Sequence, residues 1–200
     1  MTKLEQEKIR IALQCENILK SDQPETVWMK LKRNQKRDPD IQEAYASSLI
    51  NAGFHYTAEK FLRKTIAYHW NTVLVRLYGH ALTNDLDYQI YQAKKWQTKH
   101  ATSSDLMITL VRLYIQNKQR DKARDCLAKI LPLIESHNDY LEIGLLMESI
   151  GESAKALQSY RSGLQATDFK NYKNQLLKES AAVTGLIPVL DESNISKLKL

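Results

Sequence analysis

The sequence predicts an all-α protein, a right-handed stack of antiparallel helix pairs, and three observations carry that expectation. Apolar residues recur at helical spacing along most of the chain. Only 6 Gly and 4 Pro interrupt 200 residues, too few for the many turns of a β-sandwich or barrel. Similar phrases also return at intervals of roughly 34 residues. The remaining composition sets outer bounds. With 43% hydrophobic and 26% charged residues the chain is an ordinary globular one, which excludes disorder and collagen-like repeats. A balance of 29 Lys+Arg against 23 Asp+Glu leaves a net charge of +6. That favours anionic partners or surfaces without diagnosing nucleic-acid binding, and no nucleic-acid partner is expected.

The elements follow in order. Residues 1–37 read as a divergent helix pair. Leu4, Ile9, Ala12, Leu13, Cys15 and Leu19 suggest an apolar stripe behind a Thr2-x-x-Glu5 capping box. Ser21 to Pro24 break that helix. A second starts with Pro24 in its first turn, carries Val27, Trp28 and Leu31, and runs into a basic tract. Asp38-Pro39 then places a capping carboxylate before a proline with preset φ. Residues 38–165 divide into four helix pairs. These are Ile41–Ile50 with Tyr56–His69, Thr72–Leu82 with Tyr88–Lys99, Ser104–Gln116 with Arg120–Leu131, and Asp139–Ser149 with Ser153–Leu164. A capping helix within 166–184, from about Phe169 to Ala182, would close the stack, and 185–200 reads as a poorly ordered tail.

Internal repetition is the strongest signal. Ala58, Ala93, Ala123 and Ala156 fall early in the second helix of each pair, 35, 30 and 33 residues apart. They open the related phrases AEKFLRKTI, AKKWQTKH, ARDCLAKIL and ALQSYRSGL. A small residue lets two antiparallel helices approach, and a large one a turn later plugs the space against the next pair. Helix–turn–helix units at this period are the tetratricopeptide signature. By the same logic Tyr45, Tyr78, Tyr114, Tyr140 and Tyr160 read as packing, and Trp28, Trp70 and Trp96 as plugs between successive helices.

The phrases also carry a more specific likeness. Trp28 and its basic tract, DPDIQEAYASSLINAG, AEKFLRKTIAYHWNTVLVRLYG and QAKKWQTKH together resemble the C-terminal half of HemY proteins, over roughly Val27 to Leu164. His69 to Gly79 is the most specific stretch. HemY proteins are bacterial inner-membrane tetratricopeptide proteins encoded beside haem-biosynthesis genes. The resemblance implies a C-terminal segment of a membrane-anchored parent, with its repeats on the cytoplasmic side. It also implies partners among the enzymes of late haem and porphyrin synthesis. His100 to Ser104 departs from the phrase expected at that junction.

Motifs for enzymatic chemistry are sparse. HExxH, GxxxxGK[ST], GxSxG, GxGxxG and CxxCH do not occur, and Ser196-x-x-Lys199 lies in the expected tail. The chain is therefore read as a non-enzyme without a metal site or assigned cofactor. Cys15 and Cys126 form no CxxC pair and suit inert, reduced thiols. No run reaches the roughly 18 apolar residues of a membrane span, and the acidic residues of MTKLEQEKIR are unlike a signal peptide.

The candidate binding surface is a groove. First helices of such pairs line the concave face, and residues i and i+4 share one side of a helix. Arg76 and His80 stand at that spacing, Arg112 holds the comparable place one pair later, and Ile108, Ile115 and Gln116 lie beside it. Guanidinium groups next to apolar surface suit a peptide terminus, an acidic motif or a porphyrin propionate. The other reading is a solvated face whose arginines pair with nearby Asp and Glu. Three functions remain: a protein scaffold, a non-covalent haem or porphyrin carrier with His80 or Tyr78 as ligand, and a general peptide-binding adaptor. Lys30, Lys32, Arg33, Lys36 and Arg37 form a basic tract suited to an anionic membrane surface, at about 1 kcal/mol per residue.

Overall fold

The computed structural model describes residues 3–134 and 136–166, with side chains in the first helix described for residue 6 and from residue 9 onward. The Thr2 cap, the helix expected from about Phe169 to Ala182, the tail and Ser196/Lys199 lie outside the described residues. The helices are α1 (Lys3–Leu19), α2 (Pro24–Lys30), α3 (Pro39–Asn51), α4 (His55–Tyr68), α5 (Thr72–Tyr78), α6 (Leu86–Gln97), α7 (Ser104–Gln116), α8 (Arg120–Ile130) and α9 (His137–Ser149). Residues 153–166 are helical as well and are called α10. Short 3-10 turns follow at Gln35–Arg37 and Leu131–Leu133. The described residues contain no strand.

Odd-numbered helices pack side by side, α1 on α3, α3 on α5, α5 on α7 and α7 on α9. The even-numbered helices α2, α4, α6 and α8 each pack on the helix that follows. One core results, running through Ile18, Ile41, Leu49, Leu62, Leu74, Leu106, Leu113, Ile130 and Ile143, all fully buried. The four repeating alanines, Ala58, Ala93, Ala123 and Ala156, are each 0% exposed, so the spacing read from sequence does mark where helices close on one another. Gly144 takes closeness further, since a Cβ there would overlap the Tyr160 ring.

Caps and turns explain where the helices begin and end. Asp38, Asn71, Asp85, Ser103 and Ser136 each accept a hydrogen bond from a first-turn amide of the helix that follows. After α3, α7 and α9 the chain turns through a left-handed residue, Gly53 (φ +80), Lys118 (φ 58) and Gly151 (φ +86). In each turn the next amide reaches back into the helix: Phe54 to Leu49, Gln119 to Tyr114 and Glu152 to Met147, at 2.8–2.9 Å. Buried hydroxyls then tie neighbouring helices together. Ser48 Oγ donates to the Ile18 carbonyl at 3.0 Å and Thr109 Oγ1 to that of Val75 at 2.8 Å.

Two expectations are corrected. The stripe on α1 is rotated: Ile9, Leu13 and Leu19 are about half exposed and Ala12 is exposed, while Ile18 is buried and Ile11 and Cys15 pack beside it. α1 has one helical neighbour of its own kind, α3, so a single 3–4-spaced line suffices. Second, α5 stops at Tyr78 instead of reaching Leu82. Gln89, itself 0% exposed, donates from Nε2 to the Tyr78 and Ala81 carbonyls, both at 2.8 Å, and accepts from the Thr83 amide at 3.4 Å. It replaces the backbone partners of a lost helical turn.

Candidate interaction groove

Arg76 lies in the last turn of α5 and Arg112 in the C-terminal half of α7, so both project from the row of odd-numbered helices. Three carboxylates meet them there. Arg76 donates from Nε to Asp105 at 2.6 Å, from Nη2 to Asp139 and from Nη1 to Glu142, while Arg112 Nη2 donates to the other oxygen of Glu142. The five side chains are between 13% and 27% exposed. Burial works against the charged Arg76, but its hydrogen bonds to Asp139 and Asp105 and the field of Glu142 outweigh that, and its pKa is raised. Two guanidiniums against three carboxylates leave the cluster with a formal charge of −1. The arginines expected to grip a ligand's carboxylate are thus held by the chain's own acids. All three guanidinium nitrogens of Arg76 are taken, and the nitrogen Arg112 has left, Nη1, is buried, so neither offers a fork to a porphyrin propionate.

Beside the cluster lies an open pocket of about 340 Å³ lined in part by His80, Arg112, Ile115, Gln116, Leu145 and Ser149. Four of the six expected groove residues therefore meet. Arg76 lies in the ion cluster instead, and Ile108 is 0% exposed in the core. α7 is packed against α5, α6, α8 and α9, so its core-facing residues are buried, and Ile115 and Gln116 of its last turn reach the pocket. Arg112 Nη1 is buried without a hydrogen-bond partner among the described residues, against Gly79, where a Cβ would stand 3.3 Å from it. His80 lies beyond the end of α5, in the turn. Desolvation first, then the charges of Arg112 and Arg76, hold its pKa below the ordinary imidazole value, partly offset by Glu142. Tyr78 is 0% exposed and donates to Glu59 at 3.0 Å, which removes it as a haem ligand.

The other singled-out residues have structural surroundings. Trp28 stacks on Tyr45 at 4.2 Å, and the Lys36 ammonium sits 5.7 Å above it. Lys30, Lys32, Arg33 and Arg37 are exposed. Cys15 and Cys126 are half-buried, and desolvation raises both thiol pKa values, which disfavours the nucleophilic thiolate. No group of His, Cys, Asp and Glu among the described residues is arranged to hold a metal ion. No helix among them is long and apolar enough to cross a membrane. The sequence reading missed Asp105, Asp139 and Glu142. The signal was present, since Asp105 and Asp139 stand 34 residues apart, one repeat period, each in the first turn of a first helix.

A thermophilic TPR protein of Thermus thermophilus is similar in structure, with a TM-score of 0.59 over 90% of this chain and 99% of that one, at 18% identity. The fold is a tetratricopeptide-like α-solenoid. MamA AMB-1 (TM-score 0.46, 15% identity, 79% of this chain and 95% of that one) and MamA MSR-1 (0.43, 13%, 81% and 99%) are more distant. No family model matches the chain, and no curated protein matches it. In the α-solenoid each repeat supplies one first helix to a common face, and the cluster and pocket both lie on that face.

Proposed function

We propose that this α-solenoid is a non-enzymatic scaffold that binds partner proteins on the face of its first helices. The observation that carries the reading is the pocket beside the ion cluster. It is open, and Leu145, 62% exposed, stands on its rim next to Ile115, His80 and Gln116. At about 340 Å³ it suits one or two side chains of a docked segment better than an enclosed ligand the size of a tetrapyrrole. The engaged arginines also speak against the porphyrin-carrier alternative.

The partners are read as enzymes of late haem synthesis, at the cytoplasmic side of a bacterial inner membrane. This finer reading is supported by the HemY-like phrases, His69 to Gly79 above all. Lys30, Lys32, Arg33 and Arg37 would then face anionic lipid. Affinity capture from a bacterial membrane extract tests it, with Leu145→Glu as the control, because that residue is exposed and outside the ion cluster. Haem-pathway enzymes retained by the native chain and lost by the variant are the expected result. Capture that survives Leu145→Glu would move the interface elsewhere, and partners from unrelated pathways would end the haem assignment.

A further inference from the structure

A second pocket, away from the first-helix face, has a different character. It lies between the C-terminal halves of α4 and α6, encloses about 560 Å³, and is lined in part by Ile66, Trp70, Trp96, Lys95, Lys99 and His100. The two tryptophans meet edge to face at 6.4 Å, and Trp96 leans on the buried Tyr78 at 4.8 Å. The apolar floor is therefore anchored in the core and pre-shaped. No carboxylate lines the pocket, and neither Lys95 nor Lys99 has a carboxylate partner among the described residues. Lys64 stands one turn before Ala67 on the same side of α4, and residues 60–100 hold seven Lys and Arg against two Asp. That segment alone accounts for five of the six net positive charges of the chain. Two of the seven are paired, Arg76 in the ion cluster and Arg63 with Glu59 at 2.8 Å, and Lys94 lines a different pocket, which leaves Lys95 and Lys99 as the charges on this rim.

We infer that this pocket docks an acidic segment of a partner protein, an apolar or aromatic side chain resting on the Trp70–Trp96 floor while flanking carboxylates meet Lys95 and Lys99. Charge complementarity selects the occupant. A floor of tryptophan whose rim ammoniums lack carboxylate partners rewards a side chain that is itself bracketed by anions. A nucleic-acid base would need an open ring face to stack on. His100 already covers one face of Trp70, with ring centroids 3.5 Å apart and planes 7° apart, and Trp96 presents edges. Ile66 and the ring edges suit insertion of a side chain instead. Tyr91, 56% exposed, carries the Lys95 ammonium 5.6 Å above its ring at the rim.

The probe is a fluorescein-labelled peptide, Glu-Glu-Asp-Phe-Leu-Glu-Glu-Asp, titrated with the full chain and read by anisotropy, with tryptophan emission as a second signal. Saturable binding that weakens with salt is expected. Lys95→Glu/Lys99→Glu should weaken it about tenfold or more. Ala67→Gln, an exposed residue on the pocket wall, should also weaken it by filling the entry without changing charge. Lys122→Glu on α8 should leave it unchanged. Leu145→Glu should do the same, which keeps this inference separate from the first-helix groove. The inference is overturned by absence of saturable binding, or by affinity indifferent to Lys95→Glu/Lys99→Glu or to Ala67→Gln. Tighter binding of oligothymidylate or of phosphatidylglycerol vesicles than of the peptide would overturn it equally.

Discussion

His80 sits in the turn after α5, where partial desolvation and two guanidiniums oppose its protonation and one carboxylate, Glu142, supports it. The consequence for stability has a definite sign. An imidazole whose folded pKa lies below its unfolded value of about 6.5 takes up its proton more readily when the chain unfolds. Acidification from neutrality toward pH 5 therefore costs stability, and the loss levels off once the folded form also protonates. His80→Gln removes that term, while His55, His69, His100 and His137 remain in both proteins. The melting temperature of the variant should fall less steeply between pH 7 and pH 5, as followed by circular dichroism; parallel slopes would refute the assignment. His80 was legible as a groove residue because it follows Arg76 by four. Its surroundings were not, since Asp105, Asp139 and Glu142 reach the site from 29, 63 and 66 residues beyond Arg76.

Helix ends show where local pattern gives way to tertiary partners. The run from Val73 to Leu82 keeps an apolar rhythm that reads as one helix, yet α5 ends at Tyr78. Its terminator is the Gln89 side chain from the next helix, which satisfies two carbonyls and the Thr83 amide at once. Gln89→Met keeps most of the volume and strands both carbonyls. Each buried group left unpaired costs about 1–3 kcal/mol, so a loss of about 3 kcal/mol is expected in urea unfolding. Gln116→Met, exposed on α7, should change stability by less than about 0.5 kcal/mol. Equal effects would mean that Gln89 does not hold the turn. By contrast, the starts of α3 and α7 and the alanine contacts were legible. Their determinants, Asp38 before Pro39, Ser103 before Ser104, and small residues at repeat spacing, sit within a few residues of the feature they cause. The face of α1 was not, because only the position of α3 decides which apolar line is covered.

In an α-solenoid each repeat normally touches only its neighbours, and stability approximates a sum of repeat and nearest-neighbour terms. Arg76 departs from that rule. From α5 it binds Asp105 on α7 and also Asp139 and Glu142 on α9, two first helices away. It therefore couples repeats that otherwise communicate only through α7. Arg76→Leu leaves three partly buried carboxylates to repel one another with Arg112 as their one remaining guanidinium. With these groups about one-fifth to one-quarter exposed, a loss of about 2 kcal/mol is expected, below the 3–5 kcal/mol of a fully buried broken pair. The greater effect is on cooperativity. All three tryptophans, Trp28, Trp70 and Trp96, lie before α7, so their fluorescence reports the first half of the stack, while far-ultraviolet circular dichroism reports the whole. In the native chain the two urea transitions should coincide. In Arg76→Leu, α9 and α10 lose their direct tie to α5 and should unfold first, so that the dichroism midpoint falls below the fluorescence midpoint. Coincident midpoints in the variant would show that nearest-neighbour packing alone carries the cooperativity, and that the cluster only neutralises its own charges.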